Sequence, residues 1–268
     1  MSTTLHEIAS SNPTVVLVPG LDGTALLFYR QIPLLAERFN VAAFPLPDHP
    51  AKSMGDLVED LRELVEQVAG DEVILCGESF GGALIMSFAL AYPDHVQGLV
   101  VINSFPVLRG VRKRVELRVG PRVLRLFPWA AMPVVRRLTE AKLHSPHTLP
   151  EDLAEFHERA KSIGREGYIR RVEILRHYDI QDRLQEIKCP TLFIAGDRDK
   201  LIPSVREAHF MASRVPNASL QILEGYGHIC LINHDLNLLD YVQPWYEAEL
   251  ALSPGQEPQK VGLRQNPH

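Results

Sequence analysis

The chain has 268 residues, of which 46% are hydrophobic and 23% charged, so it can bury the core of one α/β domain with an insertion. Its formal net charge of −5 argues against a nucleic-acid partner. Its three cysteines, Cys76, Cys189 and Cys230, are far apart and lack metal-ligand spacing, which argues against a disulfide framework and a zinc site. The polar start and the lack of a long apolar run predict a soluble, cytoplasmic protein.

In chain order, apolar and β-branched runs alternate with amphipathic segments. Strands are predicted at 14–19, 40–46, 72–77, 98–104, 190–196 and 219–225. Helices are predicted at 26–39, 53–70 and 81–93, between the last two strands, and at 235–249. This alternation predicts an α/β fold in which helices flank a mostly parallel sheet.

The region from 105 to 183 interrupts the alternation. It has no clear strand, several prolines divide it, and it carries 17 Lys and Arg against 10 Asp and Glu. We therefore predict that residues 1–104 and 184–252 form the core and that residues 105–183 form an inserted helical lobe. The polar, proline-containing residues 253–268 are predicted to form a disordered tail.

One serine stands between glycines directly after a predicted strand, in the stretch LCGESFGG (75–82). The pentapeptide GESFG (77–81) fits the pattern G-x-S-x-G and lies between a buried strand and a helix, where that pattern places a nucleophile. A Cβ at either flanking glycine would collide with the neighbouring strand or helix, and the sharp turn would lift the Ser79 hydroxyl above the sheet edge. Ser79 is therefore predicted to be a nucleophile, and the alternative is a glycine-rich packing turn.

A nucleophilic serine needs a base, and the base needs a group that orients it. In this topology they are expected in the order Ser, Asp, His, each in a loop after a later strand. The strand at 190–196 is followed by Asp197 and Asp199, and the strand ending near Gly225 is followed by His228. We interpret His228 as the base and one of the two aspartates as its partner.

On these residues the chain resembles α/β-hydrolase-fold enzymes of the capped serine esterase and lipase type, from about residue 14 to residue 246. The family pattern G-x-x-D-x-x-[VI]-P matches GDRDKLIP (196–203), which implies that Asp199 is the catalytic acid. Asp197 is then expected to be a turn residue whose carboxylate binds local amides. The Gly-His pair that the family carries near its C-terminus matches His228.

The resemblance also implies an oxyanion hole made of two backbone amides. One is the amide of Phe80, directly after the nucleophile, and position implies that Leu21 in the loop VPGLDGT (18–24) supplies the other. This loop has proline where relatives usually have histidine, so the usual side-chain bracing is missing. Asp22 is interpreted as the N-cap of the following helix or as a polar wall of the pocket.

The resemblance implies a serine hydrolase that cleaves a small-molecule carboxylic ester, with an apolar acyl group, through an acyl-enzyme. No metal or organic cofactor is expected. A serine at residue 79 argues against dehalogenases and epoxide hydrolases, which use aspartate there. Alternatives are an acyltransferase or thioesterase on the same fold, or a non-catalytic ligand-binding protein. The lobe is expected to cap the site. Its basic segment 107–138 is either solvated, makes weak contact with a membrane surface, or forms a wall for an acidic substrate.

Overall fold

The computed structural model describes residues 5–6, 12–69, 73–108, 111–126 and 128–251, so the predicted tail at 253–268 lies outside the described residues. The strands are β1 (Leu5–His6), β2 (Thr14–Val18), β3 (Asn40–Ala43), β4 (Val73–Glu78), β5 (Val96–Ile102), β6 (Thr191–Gly196) and β7 (Ala218–Leu223). They form one sheet in the order β1-β3-β2-β4-β5-β6-β7, parallel throughout except for the pairing of β1 with β3. The predicted α/β fold with a mostly parallel sheet is confirmed.

The helices lie between and after these strands. Their bounds are α1 (Gln31–Leu35), α2 (Met54–Ala69), α3 (Phe80–Ala91), α4 (Val111–Leu126), α5 (Met132–Leu143), α6 (Pro150–Arg159), α7 (Arg165–Leu175), α8 (Ser204–Ala212) and α9 (Leu239–Glu249). None of the helices in the described part of the chain has the length and apolarity that a membrane span requires.

The sheet is covered on both faces because alternate residues of each strand point to opposite sides. Val16 and Val18 of β2 belong to one apolar cluster, together with side chains of α2 and α3. Val15 and Leu17 of the same strand belong to a second cluster, which includes Trp245 of α9. Each fully buried aliphatic side chain in such clusters contributes about 1.5–3 kcal/mol through burial.

Two local expectations differ from the structure. The helix predicted at 26–39 is wrong in extent, because this stretch contains a 3₁₀ turn at Leu26–Phe28 and the short helix α1. Pro33 lies in α1, and a proline is tolerated only in the first turn of an α-helix, so the helix begins just before it. The strand β1 was not predicted, since two residues carry no periodicity.

The segment between β5 and β6 contains the helices α4, α5, α6 and α7. Its two ends lie side by side, since Val107 and Asp179 form an antiparallel bridge and the Ile180 amide donates to the Pro106 carbonyl over 3.0 Å. The segment therefore leaves the sheet and returns to it at neighbouring points. This position suits the inserted lobe predicted at 105–183.

Candidate active site

Ser79 is the single residue between β4 and α3, and its backbone is strained. Its φ of 55° and ψ of −113° lie in a region that costs a residue with a Cβ about 1–3 kcal/mol. A Cβ built at Gly77 would lie 2.5 Å from the carbonyl of Gly81, and one built at Gly81 would lie 2.1 Å from the Val18 carbonyl oxygen. The turn therefore needs glycine at both positions, for the steric reason expected from the sequence.

The structure brings Ser79, His228 and Asp199 together at the carboxyl ends of β4, β7 and β6. The His228 Nε2 atom lies 3.0 Å from the Ser79 Oγ atom, and its Nδ1 atom lies 2.7 Å from Asp199 Oδ2. An ionised carboxylate only accepts hydrogen bonds, so the ring proton lies on Nδ1 and Nε2 accepts from the Ser79 hydroxyl. Such an imidazole can take up the hydroxyl proton.

Several donors hold the Asp199 carboxylate. Its Oδ1 atom accepts the amides of Leu201 and Ile202 over 2.8 and 2.9 Å, and its Oδ2 atom also accepts the Ser204 hydroxyl. Burial alone would raise the pKa of this carboxyl, but the charge and hydrogen bond of His228, with the Ile202 amide and the Ser204 hydroxyl, outweigh burial and lower the pKa. The carboxylate is therefore ionised and fixed beside the imidazole.

Asp197 has a different environment from Asp199. Its carboxylate accepts the amide of Gly225 over 2.7 Å, and its own amide donates to the Leu223 carbonyl over 3.1 Å. The expectation that this carboxylate binds local amides is wrong, because its partner lies on the loop after β7. Asp197 thus ties together the two loops that carry Asp199 and His228.

Asn103 follows β5 and was missed by the sequence analysis. It is buried, with a positive φ of 45°, and its side-chain amide donates to the carbonyls of His228 and Gly227 over 2.7 and 3.2 Å. Its side-chain oxygen accepts the amide of Gly196 over 2.8 Å. Asn103 therefore links the end of β6 to the His228 loop, and a polar residue at the end of a predicted strand was the signal for it.

The loop after β2 runs beside the nucleophile. A Cβ built at Gly20 would lie 3.4 Å from the Ser79 Cβ atom. Phe80 is the first residue of α3, so its N–H has no acceptor within the helix. In the described part of the chain, neither the Leu21 amide nor the Phe80 amide donates to another residue. Both N–H groups therefore remain available, one directly after Ser79 and one directly after Gly20.

Arg171 of α7 braces this loop in place of the missing histidine. Its guanidinium donates to the carbonyls of Leu21, Pro47 and Asp22 over 3.0, 3.2 and 3.3 Å. Only 3% of the residue is exposed, and burial lowers the pKa of its guanidinium despite nearby carboxylates. The sequence carried no signal for this role, because Arg171 is one arginine among many between residues 105 and 183.

Asp22 does not cap a helix. Its carboxylate accepts the amide and the hydroxyl of Thr24 over 2.9 and 2.6 Å. The following 3₁₀ turn begins at Leu26, and its N-cap is Ala25, which makes no side-chain bond. The N-cap interpretation is therefore wrong. The Asp22 side chain shapes the turn of the loop at 19–25, which we call the oxyanion-side loop after the role expected of the Leu21 amide.

Glu78 places a second carboxyl next to the imidazole. Only 2% of it is exposed, and its Oε1 atom lies 3.6 Å from His228 Nε2. Burial raises the pKa of Glu78 to about 8, with His228 opposing the shift and the charges of Asp22 and Asp199 adding to it. Glu78 is therefore mostly a neutral acid at pH 7. The sequence analysis missed it because the motif treats this position as variable.

The helical segment contacts the His228 loop as well as the oxyanion-side loop. The Ile229 amide donates to the carbonyl of Leu143, the last residue of α5, over 2.8 Å. A Cβ built at Gly227 would lie 2.9 Å from the carbonyl carbon of His144. Burial lowers the pKa of His144 to about 4, so this ring is neutral at pH 7. Ser79 and His228 are correspondingly 7% and 4% exposed.

The described residues contain no group of three or more His, Cys, Asp or Glu side chains that could hold a metal ion. Cys76 and Cys230 are buried free thiols, and Cys189 is a half-buried one.

Comparisons with known proteins agree with this geometry. A family described as "alpha/beta hydrolase fold" matches residues 13–235. The protein named "Putative carbamate hydrolase RutD" of Serratia proteamaculans is 28% identical over 239 residues, which cover 81% of this chain and 84% of that protein. The match thus extends over most of both chains.

Solved structures share the fold at lower sequence identity. MenH from S. aureus superimposes with a TM-score of 0.79 at 18% identity, covering 92% of this chain and 98% of that chain. A thermophilic esterase from Thermogutta terrifontis gives a TM-score of 0.79 at 21% identity, covering 92% and 94%. Likeness at these identities shows the fold alone. With the family match over most of its length, the chain belongs to the α/β-hydrolase family.

Proposed function

We propose that this α/β hydrolase cleaves carboxylic esters through an acyl-enzyme, with Ser79 as nucleophile, His228 as general base and Asp199 as the group that orients it. One observation carries the proposal: the chain of contacts from Ser79 Oγ to His228 Nε2 over 3.0 Å and from His228 Nδ1 to Asp199 over 2.7 Å. A hydroxyl, an imidazole and an ionised carboxylate in this order form an activated nucleophile.

In the first half-reaction the Ser79 oxygen bonds to the ester carbonyl carbon while His228 takes the hydroxyl proton. The imidazolium, held by Asp199, gives this proton to the departing alkoxide, so an alcohol leaves and an acyl-serine remains. In the second half-reaction water attacks the acyl-serine and gives its proton to His228. The carboxylic acid then leaves and the Ser79 hydroxyl is restored.

The attacked carbonyl oxygen becomes negatively charged in both half-reactions. We propose that the amides of Leu21 and Phe80 donate to it. Phe80 directly follows Ser79, Leu21 directly follows Gly20, which lies beside Ser79, and neither amide has another acceptor in the described chain. Each such donor is worth on the order of 10²–10³ in rate. Arg171 then acts as a positioning residue, because it holds the carbonyl of Leu21 and hence the direction of the loop.

The proposed substrate is a small-molecule ester with an apolar acyl group, and residues 105–183 act as the cap that selects it. A narrow crevice beside Asp22 is lined mainly by apolar side chains of the core and of α6, including Leu27, Phe156 and Ile232. Its volume of about 10 Å³ is too small for an acyl group, so the apolar acyl group is proposed from the family resemblance alone. We also propose a cytoplasmic location, which suits three cysteines that remain free thiols.

Carbamate hydrolysis is a second candidate, favoured by the relative named for that activity. The same three side chains could attack a carbamate carbonyl, with an amine-bearing group leaving instead of an alcohol. Thioester cleavage, acyl transfer to an alcohol, and ligand binding without turnover use the same pocket. A panel of p-nitrophenyl esters of increasing acyl length, with an acyl thioester and a carbamate of matched acyl size, ranks these candidates.

The direct test of the proposal is Ser79→Ala, measured on the best ester of that panel. Turnover should fall by about 10⁶-fold, as when a serine hydrolase loses its nucleophile. The matched control is Ser87→Ala on the same helix α3, where the hydroxyl donates to the Ala83 carbonyl over 2.9 Å. The control should keep its turnover, and both variants should unfold at temperatures close to wild type. Equal activity in Ser79→Ala and wild type would overturn the proposal.

A further inference from the structure

Five arginines surround a cavity of about 260 Å³ between α4 and α7, on the helical segment. They are Arg118, Arg122, Arg125, Arg170 and Arg176. His177 also lines the cavity, and Glu173 is the carboxylate among its lining residues. The cavity therefore concentrates positive charge on a chain whose net charge is negative.

Most of this positive charge is not neutralised. Glu173 binds two of the arginines, with Oε1 2.8 Å from Arg125 and Oε2 3.5 Å from Arg170. Within the described residues, no carboxylate pairs with Arg118, Arg122 or Arg176. Guanidinium groups present several N–H donors in a planar fork, which matches the oxygens of a phosphate group. The Arg122 guanidinium uses one N–H on the Arg118 carbonyl, over 2.8 Å, which leaves its other donors for a ligand. These three guanidinium groups thus form a candidate phosphate site.

An exposed apolar stripe runs along α4 next to these arginines. Val119, Val123 and Leu126 are 48%, 52% and 87% exposed, and each directly follows an arginine that lines the cavity. Their spacing of four and three residues places them on one side of the helix, about 100° from the arginine stripe. An exposed apolar stripe beside a basic one is typical of helices that lie in a membrane interface.

We propose that α4 docks the protein on membranes that contain anionic phospholipid. In this arrangement Arg118, Arg122 and Arg176 bind the headgroup phosphate in the cavity. Val123 and Leu126 enter the boundary between the lipid headgroups and the acyl chains. A free phosphate ion would use the same arginines, but it would leave the neighbouring apolar stripe in water. The two adjacent stripes therefore favour a lipid over a soluble phosphate.

The docking surface consists of Arg118, Arg122, Val123, Leu126 and Arg176. It lies one helix away from the candidate active site. Arg170 of α7 lines the cavity, and the next residue, Arg171, donates to the Leu21 carbonyl over 3.0 Å. Docking would thus bring the cap against the membrane beside the oxyanion-side loop. The inference goes beyond the proposed ester hydrolysis and does not require it, because vesicle binding is measured without substrate.

The test is co-sedimentation of the full chain with vesicles of phosphatidylcholine alone and with vesicles containing about one-third phosphatidylglycerol. We expect binding to the anionic vesicles only, and we expect added salt to weaken it. Equal binding to both vesicles, or binding to neither, would overturn the proposal. A parallel thermal-shift titration with inorganic phosphate identifies a soluble ligand: stabilisation by phosphate without vesicle binding would also overturn it.

Two variants and a control locate the surface. The triple variant R118Q/R122Q/R176Q should lose about 100-fold in anionic-vesicle binding, since each basic residue near such a leaflet contributes about fivefold. The control R38Q/R183Q/R206Q removes the same charge from exposed arginines elsewhere and should bind like wild type. The variant V123S/L126S should bind more weakly than wild type at every salt concentration. Equal losses in the triple variant and its control would contradict the assigned surface.

Discussion

The strand ends and the helical segment both contribute to the candidate site, but by different physical routes. Ser79, Asp199 and His228 follow parallel strands, and the carboxyl ends of such strands necessarily meet at one edge of the sheet. Arg171 and Leu143 reach the same site from the helical segment through long-range hydrogen bonds, three donated by the Arg171 guanidinium and one accepted by the Leu143 carbonyl. The topology of the sheet thus brings the three proposed catalytic side chains together, whereas hydrogen bonds from the helical segment hold the loops around them.

The largest effect that separates the two regions is expected at a strand end, for Asp199→Asn. An amide keeps the shape but cannot hold the imidazole in the required tautomer, so kcat should fall by about 10⁴-fold. The matched variant Asp197→Asn should lose less than about 10-fold in kcat and about 1–2 kcal/mol of stability, because it weakens the bond to the Gly225 amide. Similar kcat values for the two variants would contradict the proposal that Asp199, rather than Asp197, orients His228.

A smaller effect is expected from the helical segment, for Arg171→Met. Three carbonyls lose their donor and the oxyanion-side loop loosens, so kcat should fall by about 10–100-fold while KM changes little. Arg171→Lys should recover part of the loss. The neighbouring variant Arg170→Gln is the control, since Arg170 donates instead to the Lys52 carbonyl. An increase in KM with unchanged kcat would mean that Arg171 contacts the substrate rather than positioning the loop.

The smallest effect on turnover is expected at Glu78, which acts mainly on stability. A buried carboxyl with a pKa of about 8 stays protonated while the unfolded chain ionises near 4.5, so its contribution to stability is full below pH 4.5 and lost as pH rises through 8. The wild-type protein should therefore lose roughly 3–5 kcal/mol of its unfolding free energy between pH 4.5 and pH 8, and Glu78→Gln should not show this loss. Thermal unfolding of both proteins across this pH range measures it, and parallel curves would contradict it.

Sequence order predicted the strand-end residues because a buried strand followed by a polar loop is visible in one dimension. Ser79, His228 and the pair Asp197 and Asp199 were found in this way, and the family resemblance then pointed to Asp199. The structure places the side chains of Ser79, His228 and Asp199 in contact. Arg171 and Asn103 were not found as site residues, because the partners Leu21 and His228 lie 150 and 125 residues away from them in the chain. Polarity at a strand end was a weak signal for Asn103. Arg171 had no such signal, because it is one of many arginines between residues 105 and 183.

Local extents were harder to predict than the order of elements. The helix predicted at 26–39 is in fact the short helix α1, because Pro33 must lie in the first turn of a helix. Glu78 was overlooked for a related reason: its motif position tolerates many residues, and only burial beside His228 makes its carboxyl unusual. For Glu78, burial and the neighbouring imidazole, rather than the local sequence pattern, determine the state of the carboxyl.

The most direct measurement of the central claim is covalent labelling with a fluorophosphonate, followed by mass spectrometry of the adduct. Activation of Ser79 by His228 predicts one adduct on the peptide that carries Ser79, and a rate at least about 10³-fold lower in His228→Ala. An adduct on another residue, or equal labelling rates in wild type and His228→Ala, would contradict the account of Ser79 as an activated nucleophile.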